Sequence, residues 1–72
     1  MNLPDTPQER AAVIAWRLAQ GEALSVGEAV ALLGVTERRA QQLFRELSRV
    51  LPIFRDDDSD RWLWVMVKLL KN

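Results

Sequence analysis

Two hydroxyl–glutamate pairs, Thr6 with Glu9 and Ser25 with Glu28, and a third hydroxyl at Thr36 mark three helix starts in a chain of 72 residues. In each pair the glutamate lies three positions after the hydroxyl. At that spacing the two side chains cap each other's free backbone N–H groups. Pro7 stands at the first helical position, where its missing N–H costs nothing. Gly21 and Gly34 then supply the left-handed residues on which helices end. Apolar residues at Ala11, Ile14, Ala15, Leu18 and Ala19 make one helical stripe, and Ala40, Leu43, Phe44 and Leu47 make another. Ala29, Val30, Leu32 and Leu33 are the apolar residues of the segment between. The spacing predicts helices at 7–20, 26–33 and 37–49, the last limited by Pro52. The connector "EALSV" has room for a short extended strand. Only "GVT" separates the second helix from the third, which is the tight glycine-containing turn of a helix-turn-helix unit.

The last third changes pattern. "LPIF" is short, apolar and opened by a proline, as edge strands are. "RDDDSD" is a polar turn, and "RWLWVMV" is rich in Trp and Val. Together they predict a β-hairpin over about residues 52–67. The tail "KLLKN" either continues the strand or makes a helical turn. No repeat or long linker divides the chain, so residues 1–72 read as a single α+β domain, three helices followed by a hairpin.

Composition narrows the function. Hydrophobic residues are 49% of the chain, enough for a packed core rather than a disordered segment. There is no Cys and no His, which removes thiolate chemistry and the commonest general base. The hydroxyls of Thr6, Ser25, Thr36, Ser48 and Ser59 therefore have no histidine to activate them. The expectation is a protein without enzymatic activity, metal or cofactor. No run of about 18 apolar residues exists to span a membrane. "MNLPDTPQER" lacks the basic and apolar regions of a signal peptide, so a cytoplasmic location without membrane contact is expected.

Ten basic residues balance ten acidic ones, so any cationic surface must be local. On a wheel of 100° per residue the third helix supplies one. Arg38, Gln42, Arg45 and Arg49 lie opposite the apolar stripe at i, i+4, i+7 and i+11, with Arg39 and Gln41 flanking them. Arg matches the edge of guanine in two hydrogen bonds, and Gln does the same for adenine. Both also hold phosphate. The plainer reading is a solvated face with arginines paired to Glu37 and Glu46. The short preceding helix and the glycine turn shift the balance towards DNA.

From about Ala11 to Trp64 the chain resembles a winged helix-turn-helix DNA-binding domain. It is most similar to the N-terminal domain of DeoR-type and WYL-type bacterial transcriptional regulators, and also to the biotin-repressor DNA-binding domain. "LSVGEAVALLGVTERRAQQLFREL" followed by "LPIFRDDDSDRWLW" carries the resemblance. Glu28, Val30, Leu33, Gly34, Val35 and Thr36 match its first part, and Arg45, Glu46 and Leu47 match the end of its recognition helix. The resemblance implies a regulator that binds double-stranded DNA with helix 37–49 in the major groove. Thr36 would meet a phosphate at the helix N-terminus. Arg38, Arg39 and Gln42 would face base edges, and Arg45 and Arg49 phosphates. Glu37 departs from the pattern. It would read a cytosine amine or favour the helix dipole.

The wing departs further. Its tip carries Asp56, Asp57, Asp58 and Asp60 between Arg55 and Arg61, where a DNA-binding wing carries Gly, Lys or Arg. Those carboxylates would be repelled by phosphate, and without them the rest of the chain is at +4. They either keep the hairpin edge soluble, the preferred reading, or meet a basic protein partner. The spacing of Asp56, Asp58 and Asp60 imitates a calcium loop. Arg61 stands where that loop needs Gly, and the calcium reading is rejected.

Strand alternation places Trp62, Trp64 and Met66 on one face and Leu63, Val65 and Val67 on the other. Both faces are apolar, and a three-helix core covers only one. A homodimer contact through Trp62, Trp64 and Met66 is the preferred cover for the second. The alternative is the chain's own tail, and Trp16 suits either. The rival to DNA binding is a winged-helix protein–protein interaction module that uses the acidic wing and the Trp-rich strand.

Overall fold

The computed structural model describes residues 5–66. Its order is α1 (Pro7–Ala19), α2 (Val26–Leu33), α3 (Glu37–Ser48), β1 (Ile53–Asp56) and β2 (Arg61–Trp64). The chain is thus a small α+β fold, with three helices followed by a two-stranded antiparallel hairpin.

Each helix starts where the hydroxyls lie. The Thr6 hydroxyl accepts from the Glu9 amide at 3.1 Å, and the Glu9 carboxylate accepts from the Thr6 amide at 3.0 Å. Ser25 and Glu28 repeat the exchange at 3.1 and 3.0 Å. Thr36 accepts from the Arg39 amide at 3.2 Å, without a glutamate to answer it. The ends fall one residue short of the predicted ones for α1 and α3, because Gln20 and Arg49 act as C-caps. Gly34 closes α2 at φ 67°, ψ 35°, a left-handed conformation that costs other residues steric strain.

The core draws on all three helices, the first connector and β1. Ile14 and Leu18 come from α1, Ala29 and Leu33 from α2, Ala40, Phe44 and Leu47 from α3, Leu24 from the first connector and Ile53 from β1. Ala29 and Ala40 are fully enclosed, one on each helix of the α2–α3 pair. Side chains of this size let the two helices approach closely.

The hairpin pairs Ile53 with Trp64, Phe54 with Leu63, Arg55 with Trp62 and Asp56 with Arg61. The connector supplies the short extended stretch that its sequence allowed. Leu24 donates to Trp62 at 2.9 Å and accepts from it at 2.7 Å, which ties the α1–α2 connector to the outer edge of β2. Pro52 has no N–H to give, but its carbonyl accepts from Val65 at 2.8 Å and closes the hairpin's open end.

β2 is shorter than the sequence pattern suggests. It stops at Trp64, and Val65 and Met66 turn into helical conformation. Strand alternation therefore does not extend to Met66, and this corrects its assignment to the face of Trp62 and Trp64. Those two tryptophans pack against the core. The Trp62 ring stacks on that of Phe44, with centroids 5.3 Å apart and an interplanar angle of 1°. On the opposite face Leu63 is buried within the single chain and Phe54 is half-buried. The remainder of the predicted hairpin, Val67, lies outside the described residues, as does the tail "KLLKN". Among the described residues no helix is long and apolar enough to cross a membrane.

Candidate functional site

α3 is the most strongly two-sided helix of the fold. Ala40, Phe44 and Leu47 are buried and Leu43 is half-buried. Thr36, Glu37, Arg38, Arg39, Gln41, Gln42, Arg45, Glu46 and Arg49 are all exposed. Arg38, Gln42, Arg45 and Arg49 form one row along the solvent side, as the wheel requires.

Their charges are not cancelled internally. The ion pairs among the described residues are Arg17–Glu22, Arg55–Asp60 and Arg61–Glu28. None involves α3, and the guanidinium groups of Arg38, Arg39, Arg45 and Arg49 have no hydrogen-bond partner among the described residues. Glu37 and Glu46 sit on the flanks of the helix, and neither reaches an arginine. The pairing that the plainer sequence reading required does not form.

The structure regroups the candidates. Glu37, Arg38, Gln41, Gln42 and Arg45 line one shallow, open surface. Gln41 and Arg45 continue from it into a groove of about 260 Å³ between α3 and the hairpin, whose far wall holds Arg55, Asp60 and Trp62. Gln41, which the sequence placed only as a flank, is therefore central to this surface. Arg39 is not part of it. It borders a small apolar notch on the α1 side of α3, beside Arg10, Leu43 and Glu46. The signal for this division was on the wheel, where Arg39 and Gln41 fall on opposite flanks. Which flank faces the hairpin depends on the stacking of Phe44 on Trp62, and that is a contact between distant segments.

The hairpin tip is built from its own carboxylates. Asp56 accepts from the Asp58 amide and the Ser59 hydroxyl, both at 3.2 Å. Its carbonyl accepts from the Asp60 amide at 2.8 Å. Asp60 takes φ 58°, a left-handed conformation that Asp tolerates better than most residues. From there its carboxylate accepts from Arg55 Nε at 2.8 Å and from the Arg55 terminal amine. This hydrogen-bonded contact raises the Arg55 guanidinium above its ordinary pKa. Arg61 turns the other way. It donates to the Ala23 carbonyl at 3.1 Å and pairs with the carboxylate of Glu28. The backbone hydrogen bond from Ser25, then the Ser25 side chain, and after these the Arg61 charge hold Glu28 below the usual carboxylate range. Both hairpin arginines are thus occupied, while Asp57 and Asp58 remain exposed.

Of the residues proposed for an oligomer contact, Met66 alone is exposed, at 56%. Trp62 and Trp64 are half-buried and pack against the chain's own core. Trp16 is an exposed aromatic, 62% accessible on α1 beside Ala12 and Val13. Among the described residues no group of three or more acidic, His or Cys side chains converges to hold a metal. Comparison with protein-family models, curated proteins and solved structures finds no match to this chain.

Proposed function

We propose that this chain is a winged helix-turn-helix protein that binds double-stranded DNA, with α3 in the major groove, and acts as a regulator rather than as an enzyme. One observation carries the reading. Arg38, Gln42, Arg45 and Arg49 stand in a single exposed row whose guanidinium groups have no partner among the described residues, on a helix anchored by its opposite side. A helix that presents unpaired guanidinium and carboxamide groups in one row fits a surface of phosphates and base edges. The glycine turn at Gly34, the tie between Leu24 and Trp62 and the hairpin after α3 suit the same layout.

Within this reading we propose the following roles. Thr36 and the first turn of α3 meet a phosphate. Arg38, Gln41 and Gln42 face the base edges, and Arg45 and Arg49 take phosphates further along. Arg39 lies to the side and contacts backbone rather than bases.

The test is a titration of the whole chain with random-sequence duplex DNA at low and moderate salt. A protein that neutralises phosphates loses affinity steeply as salt rises. Absence of binding at low salt would reject the DNA role and leave the second reading, a protein-interaction module. That reading is favoured by the exposed carboxylates of Asp57 and Asp58 at the hairpin tip and by the exposed Trp16.

A further inference from the structure

The far wall of the groove beside α3 holds a cation that is already occupied. Arg55 shares this groove with Gln41 and Arg45. It is the one hairpin arginine placed to join Arg45 on a phosphate passing between them, since Arg61 is turned towards α2 and the Ala23 carbonyl. Asp60, however, meets Arg55 through both Nε and a terminal amine. One oxygen of that carboxylate takes both donors, as a single phosphate oxygen can, in a charge-assisted contact. The turn is set to deliver it. Asp60 sits at φ 58°, held by the hydrogen bond its backbone N–H donates to the Asp56 carbonyl at 2.8 Å.

We propose that Asp60 acts as an internal stand-in for phosphate that withholds Arg55 from DNA, so that the hairpin contributes less to affinity than its arginine would allow. The inference rests on the DNA-binding reading. Binding is then weighted towards α3 and its base-facing residues, because the sequence-independent contact beside them is suppressed. The pair is exposed, with side chains 54% and 74% accessible, so its internal strength is small and the affinity it withholds is several-fold rather than orders of magnitude. Glu37 also lines the groove and adds to the barrier against phosphate.

The experiment measures affinity for random-sequence duplex DNA against salt for four variants and the unaltered chain. Asn tolerates the left-handed conformation, so Asp60→Asn keeps the turn while it removes the charge. Asp58→Asn removes an equal charge at the same tip without touching Arg55. The inference expects Asp60→Asn to bind several-fold more tightly than Asp58→Asn and its salt dependence to steepen by about 0.9, the share of one added phosphate contact. Arg55→Gln alone weakens binding by no more than the one-charge effect that Asp58→Asn measures, and Arg55→Gln combined with Asp60→Asn, which leaves the net charge unchanged, returns to the level of the unaltered chain. Equal gains from Asp58→Asn and Asp60→Asn, or a gain from Asp60→Asn in the Arg55→Gln background that still exceeds the gain from Asp58→Asn, would overturn the inference and leave the DNA role intact. Failure of every form to bind at low salt would reject both.

Discussion

The aromatic rings of Phe44 and Trp62 lie parallel, 5.3 Å between centroids, and this stack joins α3 to the hairpin. Phe44 comes from the buried side of α3 and Trp62 from the strand that also pairs with Leu24. One contact therefore orients the arginine row and positions the wall of the groove beside it. Phe44→Ala removes a fully enclosed ring at the centre of this arrangement. It is expected to cost about 3–5 kcal/mol, as truncation of a buried aromatic does. A domain of this size has little more than that to lose. Denaturant unfolding followed by tryptophan fluorescence measures it, and a loss below about 1 kcal/mol would show that the stack is peripheral.

The two capping glutamates predict a pH dependence. Backbone hydrogen bonds from Thr6 and Ser25 hold Glu9 and Glu28 below the ordinary carboxylate range in the folded chain. Protons then bind the unfolded chain more readily than the folded one. The contribution of these groups is complete above the ordinary glutamate pKa and is lost as pH falls through their lowered folded values. Urea unfolding over a series of acidic pH values should show this fall. Glu28→Gln, which cannot ionise, should make it shallower. An unchanged acid limb in that variant would exclude Glu28 as a contributor.

Much of this architecture was legible locally. The capping pairs, Pro7, Gly21 and Gly34 define helix limits through bonds that span only a few residues, and the limits agree to within one residue. The apolar stripe of α3 implied which side faces solvent, and Arg38, Gln42, Arg45 and Arg49 lie there. The end of β2 was not legible, because Val65 and Met66 suit a strand as well as the helical turn they adopt. The fates of Trp62 and Trp64 were equally hidden. Alternation says that two residues share a face, but not whether the core or a partner covers it. The occupied state of Arg61 depends on Glu28, 33 positions away, and no local pattern encodes such a pair.

Arg61 allows a test of how much that distant pair matters. Its side chain and that of Glu28 are 40% and 46% exposed, so solvent screens their attraction. The guanidinium also donates to the Ala23 carbonyl, which a shorter residue cannot reach. Arg61→Ala is expected to lower stability by about 1 kcal/mol, with most of the loss unaffected by added salt because it arises from the backbone contact and packing of the side-chain stem. Unfolding at low and high salt separates the two. A loss that disappears at high salt would assign the effect to the ion pair instead.

The division of α3 into a base-facing and a backbone-facing side is the last and sharpest prediction. Gln41 and Gln42 line the same open surface as Arg38 and Arg45, whereas Arg39 borders the notch beside Arg10. A carboxamide that reads a base edge loses discrimination when removed, while a guanidinium on phosphate loses affinity for every sequence alike. Selection of preferred sites from a random duplex pool should therefore give altered base preferences for Gln41→Ala and Gln42→Ala. Arg49→Ala and Arg39→Ala should keep the preference of the unaltered chain, bind more weakly, and show a salt dependence reduced by about 1 for each phosphate contact removed. The wheel alone treats Arg39 and Gln41 as equivalent flanks, so it predicts the same class of effect for both. A changed preference in Arg39→Ala with none in Gln41→Ala would mean that α3 enters the groove rolled towards α1 rather than towards the hairpin.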